Sequence, residues 1–243
     1  MKEAIYKQRK DLVLGIVVNA YIKTMTPVSS SYIVDEHHLD LSPATIRNIL
    51  AELEEDGLLT HPHTSAGRLP TQQGYRYFVD NLMNQIQLLE EEKFRIKSEY
   101  EKEMRDLEAA LEKTSQVISD VTHYTSIISV DGWGGKIFCR GTSYVVGYPE
   151  YKDVTKIGNI LAALEEKESL LQLINRDLEK KIKIYIGHEI VCSDIEGCSL
   201  AVSRYETHSG PTGRIAVLGP TRMDYSRVVS TLDYFSKLMH EIV

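Results

Sequence analysis

The stretch from Pro27 to Arg68 leaves few folds open to this chain. Pro27-Val28-Ser29-Ser30 starts a short helix with a polar residue after a proline. Ser42-Pro43 starts a second one: serine is a good N-cap, and proline at the first helical position loses no hydrogen bond. Ile46, Ile49, Leu50 and Leu53 then recur at i, i+3, i+4 and i+7, one buried face. Gly57 is placed to end that helix in a left-handed cap. Leu58–Thr60 and Gly67–Leu69 follow as short strands around the turn-rich His61–Arg68. Helix, turn, capped helix, hairpin is the order of a winged helix-turn-helix.

The flanking segments fit that reading. Residues 8–24 carry Val13, Ile16, Val17 and Ala20 at helical spacing. A helix restarting at Pro70-Thr71 carries Tyr75, Tyr77, Phe78 and Leu82. Residues 1–82 are therefore assigned to a DNA-binding domain.

Residues 85–121 read as one long charged helix. Its apolar or seam positions step by three and four through Ile86, Leu89, Lys93, Ile96, Tyr100, Met104, Leu107, Leu111, Thr114, Ile118 and Val121. Such a helix either packs on its own domain or pairs with a second copy as a coiled coil. In the second case Ile96, Tyr100, Met104, Leu107, Leu111 and Ile118 form the dimer seam, and 83–124 is a linker. Residues 125–243 read as a separate α/β domain. Strands are expected at Ser126–Val130, Lys181–Ile186, Ser199–Tyr205 and Arg214–Gly219, with helices at Val154–Glu179 and from Thr221 onward. Asp131–Gly147 is Gly-rich and reads as irregular. The fold class is α+β.

Charge constrains the DNA reading. The chain has 243 residues and a net charge of −7. Residues 1–80 hold eight basic and ten acidic side chains. A nucleic-acid surface must then be a local patch on an acidic body. The Ser42 helix supplies one. Its first half (Ser42, Ala44, Thr45, Arg47, Asn48) is neutral or basic, and its second half (Glu52, Glu54, Glu55, Asp56) is acidic. That polarity suits entry into the major groove by the N-terminal end, where the helix dipole also favours phosphate. Arg47 matches guanine, Asn48 adenine, and Ala44 a thymine methyl. In the hairpin, His63, Thr64, Ser65, Gly67 and Arg68 offer hydroxyls, backbone N–H groups and one guanidinium, suited to phosphate or the minor groove.

Other chemistry finds little support. Cys139, Cys192 and Cys198 are too few for a disulfide framework. His188, Cys192 and Cys198 match none of the usual zinc spacings, and no metal or cofactor is expected. Gly219-Pro220-Thr221-Arg222 lacks the phosphate-loop pattern and reads as a capped strand-to-helix turn. No nucleophile–base–orienter set stands out, so no enzyme is expected. No apolar run has the length of a membrane span and no signal peptide opens the chain; a cytoplasmic protein is expected.

Several runs resemble the heat-inducible transcription repressor HrcA family. They are Leu41-Ser42-Pro43-Ala44-Thr45-Ile46-Arg47-Asn48, His61-Pro62-His63-Thr64-Ser65-Ala66-Gly67-Arg68, Gly74-Tyr75-Arg76-Tyr77-Phe78-Val79-Asp80 and Gly219-Pro220-Thr221-Arg222-Met223-Asp224-Tyr225. The resemblance covers residues 8–124 and 139–243. It implies a GAF-like C-terminal domain, a homodimer, and repression of chaperone operons through an inverted-repeat operator in double-stranded DNA, the CIRCE element. It also implies that the GroEL chaperonin keeps the repressor active and that heat releases it. Only Asp131–Ile137 stands where the family carries part of the GAF sheet and an inserted dimerising domain. The resemblance thus implies a shortened member with an incomplete sheet. The alternative in another class is a ligand-sensing regulator with a small-molecule site in the C-terminal domain.

Overall fold

A computed structural model describes residues 2–37, 41–62, 67–83, 92–94, 96, 107–151, 153–175, 181–195, 197–208 and 210–242. The chain divides into two compact units, Met1–Asn84 and Gln85–Val243.

In the first unit α1 (Lys2–Thr24) precedes α2 (Ser30–His37) and α3 (Pro43–Glu55). Strands β1 (Leu59–Thr60) and β2 (Leu69–Pro70) follow, then α4 (Gln72–Tyr77), which runs into a π-helical turn at Phe78–Leu82. Val13, Leu14 and Val17 of α1, Ile33 of α2, and Ile46, Ile49 and Leu53 of α3 meet in one apolar core. Each helix gives it the face that its spacing marks out.

Alpha3 forms as its ends dictate. Ser42 is extended, and its hydroxyl accepts the Thr45 N–H at 3.1 Å. At the other end Gly57 has φ +72°, a conformation that a side chain would strain. Gly57 N–H donates to Glu54 O and Leu58 N–H to Leu53 O, both at 2.9 Å. That pair is a Schellman closure, which turns the chain directly into β1.

In the second unit α5 (Leu107–Thr122) leads into β3 (Thr125–Val130) and β4 (Ile137–Arg140). Three short helices follow, α6 (Ser143–Gly147), α7 (Val154–Glu165) and α8 (Lys167–Ile174). Then come β5 (Ile182–Ile186), β6 (Cys198–Glu206), β7 (Thr212–Pro220) and α9 (Tyr225–Ile242). The strands make one antiparallel sheet in the order β4-β3-β7-β6-β5.

Alternation along the strands sends successive side chains to opposite faces. Leu200 and Val202 join Ile127, Ala216 and Leu218 in the apolar cluster that holds α7 and α8. Ser199 and Ser203 point the other way and bond Tyr225 (2.9 Å) and Ser236 (2.7 Å) of α9. Alpha5 lies on that second face, where Ser115 donates to the Ser126 and Phe138 carbonyls. Every residue of β3 is buried, as covering both faces requires.

Three expectations change. Asp131–Gly147 is not irregular throughout: β4 pairs with β3 from Ser126↔Arg140 to Ser129↔Ile137. The sheet is therefore continuous where an incomplete one was expected. The expected helix Val154–Glu179 breaks at Glu166, whose ψ of 85° leaves the helical region. The last helix begins at Tyr225 instead of Thr221, with Asp224 Oδ1 accepting the Arg227 N–H at 3.1 Å.

Of the two readings of the long helix, its described part fits packing on its own domain. Leu111 and Ile118 are wholly buried inside their own unit, on the α5 face that meets β3, β4 and α9. Ile96 is buried as well. Its neighbours belong to the same unit: Arg227 donates to Glu92, and the Tyr234 hydroxyl to Lys93 O. Leu107 is half-buried at the start of α5. Among the described residues, these positions belong to an intramolecular core. Tyr100 and Met104 lie outside the described residues.

Candidate nucleic-acid interface

Alpha3 buries Ile46, Ile49, Leu50 and Leu53 and exposes Ala44, Arg47, Asn48, Ala51 and Glu55. Burial of the first set dictates exposure of the second, since the two interleave at helical spacing. Ser42 is exposed and Thr45 half-buried; their hydroxyls lie 2.9 Å apart. No acidic side chain stands in the first turn. The N-terminal half thus presents two hydroxyls, an amide and a guanidinium to solvent. Donors and positive potential on one face suit phosphates and base edges.

The acidic second half is largely occupied within the protein. Tyr6 donates to Glu52 at 2.6 Å, and Lys10 reaches Asp56 at 2.7 Å and Glu52 at 3.4 Å. Burial by itself would lower the Lys10 pKa, but Asp56 and Glu52 together raise it. Glu54 accepts from His61 Nδ1 and pairs with Arg68 at 2.7 Å. Three of the four acids are thereby matched by donors from α1 and the hairpin. The unfavourable charge seen in the sequence is partly neutralised.

The hairpin pairs Leu59 with Pro70 and Thr60 with Leu69. A third segment joins it. Val28 and Arg68 exchange both backbone hydrogen bonds at 2.8 Å, which ties the entry to α2 to the hairpin. Gly67 is required there, because a Cβ would fall 2.5 Å from the Val28 carbonyl carbon. Thr71 secures the other end, its hydroxyl donating to Gly57 O at 2.6 Å and accepting from Gly74 N–H at 3.0 Å.

The structure therefore brings Ser42, Ala44, Thr45, Arg47 and Asn48 onto one helix end. It places Gly67 and Arg68 at the hairpin root, with Arg68 turned to Glu54. His63, Thr64 and Ser65 lie outside the described residues. Sequence reading missed Glu54 and Val28 as parts of this assembly. Nothing in the order of residues marks their long-range partners.

The second unit offers less. A shallow cleft of about 320 Å³ is lined by His188, Ile190, Val191, Cys192 and Ser193. Cys198 is buried beside the Tyr151 hydroxyl at 3.1 Å, and burial pushes its thiol up to about 11. Among the described residues, no three His, Cys, Asp or Glu side chains converge as a metal site, and no helix is long and apolar enough to cross a membrane.

The family described as "HrcA protein C terminal domain" matches residues 130–229. The heat-inducible transcription repressor HrcA of Geobacter sulfurreducens is 28% identical over 334 aligned positions, covering 97% of this chain and 98% of that protein. Similarity to HrcA runs across most of this chain at moderate identity. The HrcA of Pelotomaculum thermopropionicum is 29% identical, covering 97% of this chain and 96% of its own. HrcA from Carboxydothermus hydrogenoformans gives 28%, with 97% and 98% covered. A crystal structure of a protein described only as hypothetical has the same overall fold, with a TM-score of 0.75 at 18% identity, covering 96% of this chain and 97% of that one.

Proposed function

We propose that this chain is a DNA-binding transcription repressor that reads an inverted-repeat operator as a dimer. The observation that carries the reading is the exposed Ala44–Arg47–Asn48 stripe at the N-terminal end of α3, beside the Ser42 and Thr45 hydroxyls. Arg47 and Asn48 read base edges, Ala44 contacts a thymine methyl, and Ser42 and Thr45 bind phosphate. His63, Thr64, Ser65 and Gly67 supply the wing's backbone contacts. The working division is a DNA-binding domain at 1–82, a connecting segment at 83–124 and a regulatory domain at 125–243.

Homology to proteins named heat-inducible transcription repressors supports the finer reading: a CIRCE operator, chaperone genes as targets, release on heating, and GroEL as a partner. The antiparallel order β4-β3-β7-β6-β5 with helices on both faces supports a GAF-like second domain. The aligned length of 334 exceeds the 243 residues of this chain, which supports a shortened member. Its dimer contact then differs from that of relatives carrying an insertion between β3 and β4.

A fluorescence-anisotropy titration tests the proposal. The intact chain is expected to bind a CIRCE duplex at least about a hundredfold more tightly than a scrambled duplex at moderate salt. Equal affinity for the two duplexes refutes specific repression.

A further inference from the structure

The hairpin root and the second half of α3 share one carboxylate. Glu54 Oε2 pairs with Arg68 at 2.7 Å, and Oε1 accepts from His61 Nδ1. His61 is the first residue after β1, and Arg68 the last before β2. One side chain therefore spans the two ends of the hairpin loop and fastens both to α3. All three side chains are largely screened from water, Glu54 being 25% exposed and Arg68 22%. Charge-assisted bonds in such a setting hold direction as well as distance.

The need for a fastener is physical. Beta1 and beta2 are two residues each, too short to hold an angle by themselves. Beyond them the loop root is tied by the Val28–Arg68 backbone pair, which fixes only its return strand. The core residues Ile46, Ile49, Leu50 and Leu53 lie on another face of α3. Losing the carboxylate charge therefore need not unfold the unit.

We propose that Glu54 is a positioning residue for DNA reading: it sets the angle between the wing and the α3 stripe, so that both engage one duplex together. The same clamp gives Arg68 a structural task in place of a direct DNA contact. The inference rests on the DNA-binding function proposed above.

The experiment compares the full chain with Glu54→Gln and, from the other side of the pair, Arg68→Gln. Amide hydrogen exchange is followed at Val28, Arg68 and Ile49, and duplex binding is titrated against salt. Both variants should speed exchange at Val28 and Arg68 about tenfold while Ile49 keeps its rate, a local opening of the wing root. The slope of log affinity on log salt should fall by about one for each phosphate that the wing no longer reaches, while preference for the operator bases read by α3 remains. Unchanged exchange at Val28 and Arg68, or acceleration in step with Ile49, overturns the proposal. If the unaltered chain binds no duplex, the DNA-reading function fails instead, and the exchange rates still decide whether Glu54 holds the wing.

Discussion

Lys10 on α1 reaches Asp56 at the end of α3, with Nζ 2.7 Å from Oδ2. This pairing places a cation among the carboxylates of the acidic half of α3. Lys10→Met should cost about 0.5–1 kcal/mol of stability, a value kept small by solvent around the exposed carboxylates. It should also weaken non-specific duplex binding severalfold at low salt and much less at high salt. The pH dependence has a definite sign. The folded pKa lies above the ordinary lysine value of 10.5, since Asp56 and Glu52 outweigh the opposing effect of burial. The contribution is therefore complete below pH 10.5 and is lost as pH rises through the folded value. Melting curves of wild type and variant should converge above that range.

Arg47 tests direct reading. It is exposed one turn into α3, beside Asn48, and nothing in the first turn competes for it with negative charge. Arg47→Ala should cost about 1–3 kcal/mol on the operator and compress the ratio between operator and base-substituted duplexes. Its melting temperature should stay near that of the wild type, since an exposed helix position accepts alanine readily. A uniform loss across all duplexes would reassign Arg47 to phosphate.

What the sequence disclosed follows a physical division. Ser42, Pro43 and Gly57 act within a few residues of themselves, so both ends of α3 are legible from neighbours alone. Ile46, Ile49, Leu50 and Leu53 are legible by period. Glu54 is not, because its partners His61 and Arg68 are fixed only once the hairpin has folded back. Beta4 was hidden for a related reason: Ile137-Phe138-Cys139-Arg140 is short, has no alternation, and owes its conformation to register with β3. The 85–121 periodicity was misleading in one respect. An apolar stripe shows that a helix is covered, but not whether a sheet or a second copy covers it. Ser115 and Thr114, buried between Leu111 and Ile118, are unusual for a coiled-coil flank and are explained by bonds to the Ser126 carbonyl and Met239 sulfur.

That distinction carries its own test. Leu111→Ala and Ile118→Ala remove wholly buried side chains from the α5 face against the sheet. Each should destabilise the second unit by about 2–5 kcal/mol, through lost transfer energy and an unfilled cavity. Native protein at low temperature should keep its wild-type mass in light scattering across a hundredfold dilution. A seam residue would behave oppositely, with little loss of intrinsic stability and a shift toward half the mass on dilution.

The three thiols should separate by accessibility. Burial pushes Cys198 and Cys139 up to about 11, so at pH 8 both stay protonated; Cys198 is also shielded, whereas Cys139 is partly buried. Cys192 lines the open cleft with His188 and Ser193 and is only partly buried. Since the thiolate is the reacting form, a disulfide reagent at pH 8 should modify Cys192 first, at a rate at least about tenfold above the other two. Cys198 should react only when the second unit opens, because its sulfur lies under the Tyr151 hydroxyl in the α7–α8 cluster. Cys192→Ser should remove the fast phase and leave the slow ones, and mild denaturant should bring Cys198 forward. A fast phase that survives Cys192→Ser would show that Cys139 or Cys198 is accessible in the folded protein.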